Sequence, residues 1–250
     1  MKLNQNQINA FENTGYLTAL EIHDHAEVIP FRAAFDELEA REGKANCQIG
    51  LQGRHLDTPF IWQLASHPEI LDCIEQLIGP DIMVLSTHVF CKYPSQQTEF
   101  VAWHQDVTYW GLEPPLALTV WYAIDDSDIA NGCMRVIPDS HRRGLLAHGQ
   151  SDRPGNLLSI NQEVETIIPE EDAVDLELRA GQISIHHGHL IHGSNPNGSQ
   201  RRRCGLTVRY CPPHVKPMEA NSLGKPWPAM IVRGEDRFHH FGEWKLEFKT

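Results

Sequence analysis

From Pro80 onward the chain breaks into short β-prone runs, Ile82–Phe90, Ala117–Ile124, Met134–Ile137, Val174–Leu178, Gln182–Ile185 and Gly205–Cys211, separated by clusters of Pro, Gly, Asn and Asp. β-Branched and aromatic residues suit a pleated, half-buried surface, and the intervening residues punctuate it. Many short strands without helices between them point to an antiparallel barrel or jelly roll.

Ahead of Pro80 the periodicity is helical. Ile8 and Phe11 mark a short helix that Gly15 ends before a strand at Tyr16-Leu17, and Phe31, Phe35 and Leu38 mark a second helix. A third is signed by Ser66-x-x-Glu69 as a capping box, Pro68 in the first turn, a stripe of Ile70, Leu71, Ile74, Leu77 and Ile78, and Gly79-Pro80 as its end. At 250 residues the expectation is one domain: a helical region over 1–80, a β core over about 81–212 and an extension over 213–250. Arg142–Gly155 reads as a long loop over one end of the core, either a lid or a tolerated insertion. The tail, with Trp227 between prolines and His239-His240, either closes over the site or joins a dimer interface, so both monomer and homodimer stay open.

Charge and cysteine usage narrow the function classes. A formal net charge of -12 argues against nucleic acid and anionic membranes, which need a basic surface to offset phosphate. Met1–Tyr16 is polar and mixed, unlike a signal peptide, and no apolar run approaches the roughly 20 residues that span a bilayer. The expectation is a cytoplasmic protein acting on a small molecule. Six widely spaced cysteines without a CxxC read as reduced, buried thiols rather than a disulfide framework.

The chemistry is concentrated in two segments. In Trp103-His104-Gln105-Asp106 the two potential ligands are one residue apart, so in extended chain both leave the same face and can chelate one ion. An HxD triplet alone is common. The second segment, Gly181–Ser194, delivers a strand and then a turn carrying His186, His187, His189 and His192. Two imidazoles and one carboxylate fill three facial positions of an octahedron and leave three open, the arrangement of non-haem Fe(II) oxygenases. His192 is chosen as third ligand because it adjoins Gly193-Ser194 and precedes, by eleven residues, an arginine at the head of a clear strand. The other three histidines read as packing or hydrogen-bonding residues.

Together these residues resemble the phytanoyl-CoA dioxygenase family of Fe(II)/2-oxoglutarate oxygenases. The resemblance rests on Trp103-His104-Gln105-Asp106 with Tyr109-Trp110, Trp121 in the next strand, Asn131-Gly132-Cys133-Met134-Arg135-Val136-Ile137-Pro138-Asp139-Ser140-His141, and His192-Gly193-Ser194 with Arg203. It implies a fold that is mainly β with flanking helices, a double-stranded β-helix (a cupin-like jelly roll), with His104, Asp106 and His192 on iron as metal and catalytic residues. It also implies that Arg203 meets the distal carboxylate of 2-oxoglutarate, that Trp121 helps form that pocket and that Lys92 reaches cofactor or substrate. A dicarboxylate in a partly dry barrel needs a permanently charged, two-pronged cation, which agrees with Arg203. Strand parity demotes Arg202 among its rivals and leaves Arg201 and Arg209. In Ala117–Ile124 the face Ala117, Thr119, Trp121 and Ala123 reads as the cavity lining. Tyr109 and Trp110 are candidates for the substrate wall, with Arg209 as a further substrate contact. Where the family commonly has Pro-Gly-Ser-His, this chain has Pro138-Asp139-Ser140-His141, and Asp tolerates the left-handed turn position.

The reaction implied is hydroxylation of a C–H bond with Fe(II), 2-oxoglutarate and O2, releasing succinate and CO2. A small polar metabolite, an amine or aminophosphonate, is the favoured substrate. Halogenation would require the carboxylate ligand to be absent, and Asp106 is present. The readings from other classes are a metal-dependent jelly-roll hydrolase or isomerase, which has no need of Arg203 or a dicarboxylate pocket, and a non-catalytic small-molecule binding protein; strict dependence of succinate formation on a cosubstrate separates the oxygenase from both.

Overall fold

The computed structural model describes residues 1–94, 98–158, 160–218 and 224–248, the side chain of Tyr109 excepted. Five helices lie in the first third: α1 (Gln5–Thr14), α2 (His25–Glu42), α3 (Lys44–Ile49), α4 (Pro59–Ala65) and α5 (Pro68–Ile78). α1 and α2 begin at capping boxes, Asn4 with Gln7 and Asp24 with Glu27. The box expected at Ser66 does not form. His67 is the N-cap of α5 without a side-chain bond, and the Ser66 hydroxyl instead donates to the Trp62 carbonyl at 2.8 Å, closing the last turn of α4. Two helices abut there, and the backbone bond takes the hydroxyl first. Short α3 and α4 have no counterpart in the sequence pattern, whose signal lies in longer periodicities.

Strand β1 (Tyr16–Glu21) follows α1, and the rest run from β2 (Ile82–Lys92) through β3 (Val101–His104), β4 (Leu112–Glu113), β5 (Leu118–Ala123), β6 (Met134–Val136), β7 (His148–Gln150), β8 (Gln162–Val164), β9 (Val174–Leu176), β10 (Gln182–His187), β11 (His192–Ser194), β12 (Arg203–Cys211) and β13 (Lys216–Pro217) to β14 (Met230–Arg233). A six-stranded sheet has the order β1-β10-β5-β12-β2-β14, and a four-stranded sheet the order β3-β11-β6-β9. Every pairing in both sheets is antiparallel. The ribbons β13-β4 and β7-β8 flank them. This is the jelly roll expected from the strand pattern, mainly β with helices on one side. The segment 142–155, expected as a loop, holds β7, paired with β8, so it is part of a hairpin rather than free chain. The tail contributes β14 to the edge of the large sheet, beside β2.

Strand alternation divides the residues between two environments. In β12 the even positions Cys204, Leu206, Val208 and Tyr210 face out and join Leu118, Val120 and Tyr122 of β5 in the principal core, with Val28, Phe31 and Phe35 of α2 and Ile70 and Ile74 of α5. Odd positions face the space between the sheets. The helices thus shield the outer face of the large sheet, at roughly 1.5–3 kcal/mol for each large apolar side chain fully buried. Tyr210 ties the layers together, its buried hydroxyl donating to the Ala65 carbonyl at 2.8 Å. Tyr210→Phe is expected to cost about 1–2 kcal/mol by leaving that carbonyl without this donor; an unchanged urea midpoint would show that the bond contributes nothing net. All six cysteines are free and buried, as expected. No helix among the described residues is long and apolar enough to cross a membrane.

Candidate metal centre

The two halves of the centre meet by register. β3 ends at His104 and β11 begins at His192, and the two residues are direct cross-strand partners. Their rings stand 4.1 Å apart, centroid to centroid. Asp106 follows at the start of a 3-10 turn, Asp106–Tyr109. Its Oδ1 lies 3.8 Å from His104 Nε2 and 3.9 Å from His192 Nε2. One ligand atom from each of the three residues falls within 4.8 Å of the others, close enough to share one ion, and all three residues are buried. Among the described residues no other group of this kind occurs.

The tautomers are set by backbone. His104 Nδ1 is 2.9 Å from the Ala102 carbonyl and His192 Nδ1 2.9 Å from the Leu190 carbonyl. A carbonyl only accepts, so each Nδ1 carries the hydrogen and each Nε2 presents a lone pair to the centre. Burial pushes the His104 imidazole down to about 4 and His192 well below its ordinary range. Burial by itself would raise the Asp106 carboxyl, but His186, Arg209 and His192 outweigh it and hold the group well below the usual carboxylate range. Neutral imidazoles beside an ionised carboxylate are the protonation states a divalent ion requires.

A second layer positions Asp106. Its Oδ2 accepts the Thr119 hydroxyl at 2.7 Å and lies 3.4 Å from His186 Nε2. Thr119→Val is expected to weaken metal binding about 10- to 100-fold, as loss of an outer partner usually does; a metal titration with unchanged affinity would contradict it. Gln105, fully buried between the candidate ligands His104 and Asp106, donates to the carbonyls of Gly144 and His189 at 2.8 and 2.7 Å and accepts from the Leu146 amide at 2.8 Å, so this loop is pinned to the 142–155 segment.

The histidine-rich segment separates cleanly. His187 and His189 stack with each other at 5.4 Å, and His187 faces His141 at 5.5 Å, away from the donor triad. His186 is inside, opposite Thr119 across the β10-β5 pair. The inward set Ser184 and His186 is available from the alternation with Ile183 and Ile185, yet a run of histidines hides that parity.

Beside the triad lies a cavity lined by, among others, Trp121, Thr119, Ser194, Arg203 and Arg209. Arg203 is 3% exposed. Its Nε and Nη2 donate to the Gly132 carbonyl at 3.1 and 2.7 Å, Nη2 also reaches Ser194 Oγ at 3.3 Å, and the guanidinium sits 5.4 Å from the Trp121 ring. Gly132 holds φ +78° and has no room for a Cβ, which would stand 2.3 Å from the Asn195 carbonyl oxygen. Gly205 makes the space for Trp121: a Cβ there would stand 2.0 Å from the indole. Lys92, the cross-strand partner of Arg203, is 1% exposed and lies behind the cavity wall, donating to Ser194 Oγ at 2.6 Å and the Asn195 carbonyl at 2.5 Å. Neither cation has a carboxylate within ion-pair distance among the described residues. Burial and the nearby Arg203 push the Lys92 ammonium well below its usual range, and burial lowers Arg203 too. A carboxylate seated beside Arg203 would supply the missing countercharge.

The rival arginines are engaged elsewhere, Arg201 with Asp128 and Arg202 with Asp125 and Asp36. Arg209 lines the cavity, its guanidinium 5.8 Å from the Trp110 ring. Trp110, expected at the substrate wall, is 2% exposed within a separate apolar cluster with Val107, Trp227 and Phe241 and does not line the cavity. The side chain of Tyr109, the other wall candidate, lies outside the described residues.

Residues 11–205 match the model of the phytanoyl-CoA dioxygenase (PhyH) family. The peroxisomal phytanoyl-CoA dioxygenase of Rattus norvegicus is 25% identical over 83% of this chain and 68% of its own length, and the chain spans only 43% of the Mus musculus enzyme, at 30% identity over 57% of this chain. L-Proline trans-4-hydroxylase of Streptomyces griseoviridis is 28% identical over 70% of each chain. Among solved structures, the non-heme monooxygenase ThoJ in its apo form superposes with a TM-score of 0.79, at 30% identity over 96% of this chain and 88% of that one.

Proposed function

The chain belongs to the phytanoyl-CoA dioxygenase family, and from that membership we propose that it hydroxylates a C–H bond of a small polar metabolite with Fe(II), 2-oxoglutarate and O2, releasing succinate and CO2. His104, Asp106 and His192 would hold the iron. The observation that carries the reading is the buried Arg203 guanidinium, without a carboxylate partner among the described residues, lining the cavity beside that donor triad. A guanidinium forks onto both oxygens of a carboxylate, and Ser194, held from behind by Lys92, adds a hydroxyl at the same end, which suits the distal carboxylate of 2-oxoglutarate.

Iron, when bound, supplies the redox chemistry that couples decarboxylation of 2-oxoglutarate to attack on the C–H bond. The chain's own residues do the rest. Both Nδ1–H bonds to backbone carbonyls fix the ligand rings, Thr119 fixes the carboxylate, Trp121 walls the cosubstrate, and the apolar members of the lining, Phe90, Met134 and Leu158, keep water from the reacting carbon. The cavity must hold cosubstrate and substrate together, and a chain of formal net charge -12 is poorly suited to the phosphates of a nucleotide-bearing thioester. That supports a small substrate, of the kind named for the L-proline trans-4-hydroxylase.

A hydrolase or isomerase would leave Arg203 without a task, and halogenation is disfavoured by Asp106 itself. The test is anaerobic titration of the protein with Fe(II) and 2-oxoglutarate. The expected result is a weak visible metal-to-ligand charge-transfer band that saturates with cosubstrate. Iron-loaded protein without that band would sink the oxygenase reading.

A further inference from the structure

We infer that the substrate is a small anion, a carboxylate or phosphonate, whose charged group is gripped by Arg209 with His186 beside it; this rests on the oxygenase reading above and names its substrate class. Two arginines line the cavity. Arg203 and Arg209 share the inward face of β12, and at about 3.3 Å per residue their Cα atoms are roughly 20 Å apart along the strand. They therefore reach the cavity at two separate places, Arg203 beside Ser194 and Trp121 and Arg209 beside Asp106 of the triad.

Arg209 lies opposite Thr119 across the β12-β5 pair. Its Nε is buried and has no hydrogen-bond partner, and the only acid in ion-pair range among the described residues is Asp106, whose Oδ1 is 4.0 Å from Nη2 and faces the metal position. His186 is 1% exposed, and neither of its ring nitrogens makes a well-aligned hydrogen bond, Nε2 only approaching Asp106 Oδ2 at 3.4 Å. Buried donors without partners are costly, and one acceptor-rich ligand placed between the two side chains satisfies both. The Trp110 ring beneath the guanidinium limits its swing and leaves the fork facing the cavity. A planar fork fits two oxygens of a carboxylate or phosphonate.

The complementary argument comes from the missing acids. Although the chain carries a formal charge of -12, Asp106 is the only acidic residue among the described residues lining the cavity, and it belongs to the metal. A plain amine would find no counterion there. An amino acid or aminophosphonate would place its anionic group on Arg209 and hold its carbon skeleton over the triad.

The experiment uses the iron-loaded, 2-oxoglutarate-bound protein under anaerobic conditions, with binding read as a perturbation of the charge-transfer band. The probes are amino acids with their matching carboxamides, and aminoalkylphosphonates with their matching aminoalcohols. At least one acid is expected to perturb the band, and to bind about 10- to 100-fold more tightly than its neutral partner, the range of a charge-assisted hydrogen bond. In Arg209→Met that ratio should fall close to unity, and Arg209→Lys should restore part of it. A merely structural arginine would weaken acid and amide alike and leave the ratio unchanged. The proposal is overturned if no acid perturbs the wild-type band, if neutral partners bind equally well, or if the ratio survives in Arg209→Met. Failure of the oxygenase reading is separate and visible earlier, as the absence of any band before a probe is added.

Discussion

Asp106→Ala is expected to lower substrate-driven succinate formation by at least about 10³-fold, because it would remove the one anionic member of the proposed ligand triad and with it most of the charge stabilisation offered to a metal. Its neighbours make the effect larger than the loss of one contact. Thr119, His186 and Arg209 all converge on this carboxylate, at 2.7, 3.4 and 4.0 Å, so removing it leaves a hydroxyl, an imidazole and a guanidinium facing a void. The remaining proposed ligands, His104 and His192, keep their backbone-fixed tautomers and could still hold an ion weakly. The fold should persist, since the substitution takes out a buried charge rather than an apolar side chain of the core. Succinate assays and bound-iron analysis on wild type, Asp106→Ala and Asp106→Asn test this together. Activity within tenfold of wild type in Asp106→Ala would mean that the triad is not the reaction centre.

What makes this site legible in the sequence is parity. One intervening residue puts His104 and Asp106 on the same side of extended chain, and the alternation in β5 puts Thr119 and Trp121 on the inner face, where both line the cavity. The turn that departs from Pro-Gly-Ser-His likewise holds Asp139 in the expected left-handed conformation, at φ 64°. Register is not legible. That Lys92 faces Arg203, that His186 faces Thr119 and that His104 faces His192 are facts of cross-strand pairing over long sequence separations, which composition does not encode.

Short elements escape for a related reason. β3 and β11 have four and three residues, and β11 is His192-Gly193-Ser194, with no β propensity of its own. It is a strand because β3 and β6 on either side bond it. Met230–Arg233 reads in sequence only as tail, yet it completes the edge of the large sheet beside β2. Trp110 shows the opposite error: proximity to the ligands in sequence suggests a substrate wall, whereas the chain turns after Asp106 and carries the indole into a different apolar cluster. Tertiary context overrides local inference wherever the local signal is three or four residues long.

Arg203→Met should separate the binding role of this cation from its effect on folding, and the two are expected to move in opposite directions. In the cosubstrate-free protein the Arg203 charge is buried, at 3% exposure, with a carbonyl, a hydroxyl and the Trp121 ring but no anion as partners. An uncompensated buried ion costs several kcal/mol even after relaxation, whereas leaving the Gly132 carbonyl without its donor costs about 1–3 kcal/mol. Burial of the charge is the greater of these two costs, so cosubstrate-free Arg203→Met should melt no lower than cosubstrate-free wild type. Binding runs the other way. Truncating one partner of a buried charged pair costs about 2–5 kcal/mol, so the variant's affinity for 2-oxoglutarate should fall roughly 30- to several-thousand-fold. At a cosubstrate concentration of about 100 times the wild-type Kd, wild type gains about 2.7 kcal/mol of stability and the variant under about 1 kcal/mol. Thermal melts of the metal-loaded proteins, recorded with and without 2-oxoglutarate, should therefore show the order of the two Tm values reversing on addition of cosubstrate. A variant stabilised by 2-oxoglutarate as much as wild type would remove Arg203 from the cosubstrate site, and a variant that already melts far below wild type without it would show that the guanidinium is a structural tie instead.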